Sequence, residues 1–236
     1  PEVARRAVIC VDSPAGAALA QAARIPVATI TAEVATVADW HVRTTSDDLG
    51  TDFVLTGPAG ERLDGRILAP GAHQALDASI AAVMAIEAGH AAPEVARALV
   101  APLPAPVAGR LERVPGSHDP AVHLDVGHTP DSLRRSLEAL RPLARGRLVV
   151  LFGADGDRDT TKREPMGRVA GALADVVIVH DHHSRFEDPD AIRRAVLAGA
   201  RSGPAEVHDV PDPTDAIRLA LDIAGTDGSV LWAGTG

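Results

Sequence analysis

Aromatic residues are nearly absent from this 236-residue sequence: no tyrosine, three phenylalanines and two tryptophans. Hydrophobic residues still make up 46%. The core must therefore be built from Ala, Val, Leu and Ile, small side chains that suit helix–sheet packing. A single cysteine, Cys10, excludes an internal disulfide framework and fits a reducing compartment. Its apolar neighbours make it an inert core residue. No apolar run approaches the roughly 18 residues that cross a membrane as a helix. Basic charge is also short, with 23 Lys and Arg against 32 Asp and Glu and a net charge of −9. That excludes sequence-independent nucleic-acid binding, which needs a basic face. "PEVARRAVICVD" has no long apolar stretch and no small-residue cleavage site, so no signal peptide is expected there.

The length suits one large domain or two small ones. Both ends read as cut. The first enters a strand within a few residues, and the last, "VLWAGTG", stops in a glycine turn after a strand. A piece of a longer chain is expected.

The first half opens with a strand, an acidic turn and an alanine-rich helix in "AVICVDSPAGAALAQAA". A second strand, "IPVATIT", follows. "ADWHVRTTSDDLGTDFVLTGPAGERLDGRIL" alternates apolar and polar residues, with turns at "DDLG" and "GPAG", and predicts antiparallel strands. "HQALDASIAAVMAIEAG" has helical spacing and a glycine stop. A shorter helix, "APEVARALV", runs into three prolines between 102 and 106, the expected domain boundary. The second half alternates strand and helix from "AVHLDV" to "VLWAGTG". The pattern predicts a parallel sheet covered on both faces, with strands that are near-continuous apolar runs.

In such sheets ligands bind beyond the carboxyl ends of the strands. Four strand ends carry polar or glycine-rich segments. They hold Asp125 and His128; Gly153 to Arg163; His180 to Arg185; and Gly234. Helix N-terminal turns at that edge attract anions. Polar loops are ordinary there, and charged groups converging from several loops are what point to a site. The stretch "FGADGDRDTTKREPMG" is the most charged. It is not a calcium loop, because the sixth and twelfth positions counted from Asp155 are Thr160 and Met166. It is not a dinucleotide fingerprint, because the G-x-G-x-x-G spacing is missing. "HDHH" has donors for a transition ion. Without a ligand from elsewhere in the chain it is not counted as a metal site. His128 is read either as a general base or as a hydrogen-bonded turn residue.

Taken in order, "AVICVDSPAG", "GRLE", "DVGHTPDSL", "FGADGDRDTTKREPMG", "ADVVIVHDHHSRFEDPDAI" and "AGTG" resemble the Mur ligases, and among them the MurE type. The resemblance covers nearly the whole chain. It implies an α/β fold: the remainder of a P-loop-type central domain (1–107), then a Rossmann-like C-terminal domain with a mostly parallel sheet (108–236). It implies an ATP-dependent acid–amino acid ligase of peptidoglycan synthesis, working through an acyl phosphate on a UDP-muramyl peptide. ATP and Mg2+ are the implied cofactors, held mainly by a part preceding this sequence. No G-x-x-x-x-G-K-[ST] loop occurs here, so this stretch alone is not expected to hydrolyse ATP. A cytoplasmic monomer is expected.

The resemblance also implies residue roles. Arg158 and Lys162 are the catalytic candidates. Lys162 lies near the phosphates, and Arg158 grips the incoming carboxylate. Asp181, His182, His183, Arg185 and Gly234 are assigned to the amino-acid substrate. Gln74, Asp77, Arg110, Asp125, His128 and Lys162 are assigned to nucleotide. Several positions depart from the family pattern. Asp155 stands where the family keeps glycine. His182 and His183 replace an acid and an asparagine that grip the distal end of a diamino acid. Val126 replaces an aromatic, Gln74 and Asp77 replace asparagines, and Thr235 replaces a lysine. These departures imply either a different amino acid or a repurposed binding or scaffold protein with a degraded nucleotide site.

Overall fold

The computed structural model describes residues 4–47, 49–100, 107–114 and 120–234. The three boundary prolines and Thr235 lie outside the described residues. The chain divides into two compact units, Pro1–Ala105 and Pro106–Gly236. The sequence reading places its boundary at 107/108.

The first unit holds strands β1 (Ala7–Cys10), β2 (Val27–Thr31), β3 (Trp40–Asp47), β4 (Gly50–Thr56) and β5 (Arg62–Ile67), paired in that order. β1, β2 and β3 run parallel, while β3, β4 and β5 form an antiparallel meander. Helix α1 (Pro14–Ala22) follows β1, and α2 (Ala72–Glu87) and α3 (Ala92–Val100) follow β5. Alternation decides the buried face: Trp40 and Val42 of β3, and Phe53 and Leu55 of β4, pack against Ala75, Ala82 and Val83 of α2. Cys10 is partly buried against the same core.

The second unit is a six-stranded sheet. Its strands are β6 (Glu112–Arg113), β7 (Ala121–Asp125), β8 (Leu148–Phe152), β9 (Val176–Val179), β10 (Glu206–Asp209) and β11 (Ser229–Ala233). The spatial order is β10-β9-β8-β11-β7-β6. All pairs are parallel except β6 with β7, a short antiparallel edge that the sequence reading had not assigned to a strand. Two residues, Glu112 and Arg113, carry no period, so only the partner reveals the strand.

Helices α4 (Pro130–Leu140), α5 (Arg163–Leu173) and α6 (Pro189–Ala200) cover one face, over Leu148, Val150 and Phe152. Helix α7 (Pro213–Ala224) covers the other, where Ala216, Ala220 and Ala224 meet Val149, Leu151 and Ile178. Every residue of β8 and β9 is buried, which explains their unbroken apolar runs. Capping starts the helices: Thr129, Asp188 and Asp212 accept from backbone amides, each followed by proline.

The charged stretch after β8 is only half loop. A single 3-10 turn begins at Thr160, capped by Asp159, whose Oδ1 accepts from Thr161 N at 2.9 Å. α5 follows from Arg163, two residues before the helix read from "PMGRVAGALA". The cap overrides the local polarity.

His123, in β7, is 4% exposed, and its Nδ1 lacks a hydrogen-bond partner among the described residues. Burial, aided by the charge of Arg113, pushes its pKa down to about 4. Between pH 6.5 and 4 the unfolded imidazole therefore binds a proton that the folded one refuses. Stability is full above 6.5 and falls as pH drops, by about 3 kcal/mol across the window. His123→Leu should flatten the loss measured by urea unfolding between pH 7 and 5. An unchanged slope would remove His123 as the cause.

Candidate functional site

Parallel strands bring four loops to one edge. Beyond β7 lie Val126 and His128; beyond β8, Gly153, Ala154 and Asp155; beyond β9, His182, His183 and Arg185; beyond β11, Gly234. With Lys162 and Met166 they line an open cleft of about 420 Å³. Six sequence candidates thus share one cavity: His128, Lys162, His182, His183, Arg185 and Gly234.

The loops after β8 and β9 touch backbone to backbone. Gly156 N donates to His183 O at 2.9 Å. A Cβ on Gly156 would stand 1.9 Å from Ser184 O, and one on Gly153 would stand 2.6 Å from His180 O. Only glycine permits this approach. A salt bridge staples the same loops. Arg163, 5% exposed, donates through both terminal nitrogens to Glu187, at 2.7 and 2.8 Å, and from Nη2 to Asp155 O at 3.0 Å. Asp157 N adds a bond to Glu187 at 2.6 Å. The Arg163 bond, then that from Asp157, holds the Glu187 carboxyl down to about 2.

Asp155 is the anionic group in the cleft. His182 Nδ1 lies 2.9 Å from its Oδ1, and His183 Nδ1 lies 3.7 Å away. Burial alone would raise this carboxyl. The His182 hydrogen bond, with the charges of His182, Arg185 and His183, outweighs burial and holds it below its usual range. Lys162 and Arg185 make no salt bridge to a described residue, so both cations remain available to an anionic ligand.

Other candidates stand elsewhere. Asp125, 4% exposed, accepts from Leu111 N at 3.1 Å and Gly127 N at 2.6 Å, and its carbonyl accepts from Gly234 N at 2.7 Å. It ties three chain segments together below the cleft. Asp181 is engaged by Arg193, which also bonds Asp190 and, at 2.8 Å, Asp209. Arg158 and Arg110 are exposed and not part of the cleft wall. Gln74 and Asp77 lie on α2 of the first unit. His180 is buried edge-on to Trp232, 6.1 Å between ring centroids, with Nδ1 2.7 Å from Asp181 O. Burial lowers its pKa. Sequence reasoning missed Arg163, Glu187 and Arg193 as structural anchors. Glu187 lies 24 residues from Arg163, and Asp181 and Asp209 lie 12 and 16 from Arg193, and no local pattern marks such pairs; only Asp190 is a local, i,i+3 partner of Arg193.

The Rossmann-like sheet and its loop order have counterparts. A model of the Mur ligase glutamate ligase domain matches residues 109–236. The chain belongs to the Mur ligase family. It is 44% identical to UDP-N-acetylmuramyl-tripeptide synthetase of Leifsonia xyli subsp. xyli, with 100% of this chain and 47% of that protein aligned. It is 37% identical to UDP-N-acetylmuramoyl-L-alanyl-D-glutamate–2,6-diaminopimelate ligase of Streptomyces coelicolor, with the same coverage. The chain thus spans about half the length of these Mur ligase relatives. Among solved structures, Mycobacterium tuberculosis folylpolyglutamate synthase complexed with ADP and AMPPCP superposes at a TM-score of 0.71 and 24% identity, covering 99% of this chain and 53% of that one. A UDP-N-acetylmuramoyl-L-alanyl-D-glutamate–2,6-diaminopimelate ligase superposes at 0.57 and 24%, covering 98% and 48%. At that identity the shared feature is the fold.

Proposed function

We propose that this chain is part of an ATP-dependent amide ligase that joins an amino acid to a UDP-muramyl peptide through an acyl phosphate. The observation that carries the proposal is the cleft with two cations, Lys162 and Arg185, that make no salt bridge to a described residue, on the ligand edge of a Mur ligase sheet. Residues 1–107 would close a central ATP-binding domain and 108–236 would form the C-terminal domain. The enzyme would work as a monomer in the cytoplasm; no described helix is long and apolar enough to cross a membrane.

Phosphate and carboxylate fit this cleft, because its free side-chain charges are positive. ATP, when bound, would supply the phosphoryl group that activates the acceptor carboxylate. Lys162 would offset charge on that group from the start of α5. Arg185, with Arg158 reaching in from the loop after β8, would hold the carboxylate of the incoming amino acid. The Gly234 backbone would meet the same substrate. Asp125, His128 and Arg110 would border the nucleotide. Magnesium would be held mainly by the part that precedes this sequence and by the nucleotide phosphates. The one group of three converging ligand side chains among the described residues has two imidazoles, whereas magnesium takes oxygens.

The test is ATP-dependent amide formation by the full-length protein, with a UDP-muramyl dipeptide acceptor and a panel of amino acids. Arg158→Ala and Arg185→Ala should each lower kcat/KM at least about 100-fold with the circular dichroism unchanged. Failure of the wild-type protein to turn over ATP with any amino acid would overturn the reading. Wild-type rates in both variants would return the two arginines to the solvated surface.

A further inference from the structure

The cleft also contains a combination to which the ligase reading assigns no metal. Asp155, His182 and His183 come from two loops 27 residues apart, and their ligand atoms all lie within 4.8 Å of one another. We propose that these three side chains form a binding site for a divalent transition ion with borderline donor preference, such as Zn2+ or Co2+.

Three observations carry this. The first is donor chemistry. Two imidazoles and one carboxylate make a set that suits zinc or cobalt and not calcium or magnesium. The second is spacing. Ligands at zinc's usual bond lengths sit about 3.4 Å apart in a tetrahedron. The 2.9 Å and 3.7 Å separations from Asp155 Oδ1 straddle that value, so small side-chain rotations would close the site. The third is rigidity. The loops are locked together by the Gly156–His183 bond, by the glycine contacts at 153 and 156, and by the Arg163–Glu187 staple. The backbone that carries the ligands would therefore lose little freedom on binding.

The adjacent histidine takes no part. His180 is buried against Trp232, and its Nδ1 faces a carbonyl, so "HDHH" supplies two ligands and the loop after β8 supplies the third. Three protein ligands leave a fourth position open toward the cleft, the arrangement of sites that also take water or a substrate atom. Arg185 lies close enough to feel the Asp155 charge. It opposes a second cation and weakens the site.

This inference does not depend on the ligase reading, because the probe is the metal alone. The full-length protein would be titrated with Co2+, following the visible absorption of a low-coordinate nitrogen–oxygen site. Zn2+ affinity would be measured by competition with a chromogenic chelator. One equivalent should bind. Asp155→Asn, His182→Gln and His183→Gln should each weaken binding at least about tenfold. His208→Gln, on the surface strand β10, should leave it unchanged. No saturable binding, or equal loss in His208→Gln, overturns the site. Asp155→Asn keeps the side-chain shape, so it decides the matter if His182→Gln fails to fold. Wild-type affinity in Asp155→Asn would overturn it too.

Discussion

Gly167→Ala should destabilise the second unit by about 2–3 kcal/mol, and Gly167→Val should leave it unfolded. α5 and α6 meet at backbone distance. A Cβ on Gly167 would stand 2.0 Å from Val196 O and 2.8 Å from Ala200 N. Its neighbours repeat the constraint: a Cβ on Gly171 would meet Ala200 O at 2.2 Å, and one on Gly199 would meet Glu164 O at 2.0 Å. Backbone carbonyls cannot rotate aside, so the helices must separate by more than an ångström. Separation opens the core around Met166, Ala170, Val196 and Ala200. Alanine's better helix propensity returns about 1 kcal/mol, which does not offset the clash. Urea unfolding should show a lower midpoint with the slope unchanged. Wild-type stability in Gly167→Ala would mean that the helices are not at backbone contact.

Arg193→Ala is the second large effect. Arg193 is 7% exposed and fans three carboxylates from α6, from the end of β9 and from β10 around one guanidinium. Burial works against its charge, and the bonds to Asp181, Asp209 and Asp190 outweigh it, raising its pKa. Removing it leaves three like charges together with no counter-ion. Breaking a buried pair typically costs 3–5 kcal/mol. Each carboxylate here keeps at least a third of its surface in solvent, so about 2–3 kcal/mol is expected at low salt. High salt should recover part of it. Arg193→Lys should recover less than the full loss, because an ammonium cannot bridge three carboxylates in a plane. The loop after β9 should loosen as well, seen as faster amide exchange at His182 to Arg185. Unchanged exchange in Arg193→Ala would show that the triad does not hold that loop.

Much of the architecture was legible in the sequence. Runs such as "LVVLF" and "VVIV" are apolar on both faces, and only strands inside a covered parallel sheet need that. Proline and aspartate mark helix starts because caps are local chemistry. The rule that ligands gather beyond strand ends points to the four loops that line the cleft. The two-residue strand β6 was not legible, since its only signature is its partner β7.

The division of labour among the charges was decided by tertiary structure alone. "FGADGDRDTTKREPMG" contains Arg158, Lys162 and Arg163, which look alike on the page. Folding buries Arg163 against Glu187, turns Lys162 into the cleft and leaves Arg158 exposed. In "HDHHSR", it sends Asp181 to Arg193 and His180 into the core, and it brings His182 and His183 onto Asp155. The sequence by itself determined the buried strands and the loops that line the cleft. It could not choose partners, because an ion pair depends on a sheet order that sets β9 beside β8 and inserts β11 between β8 and β7.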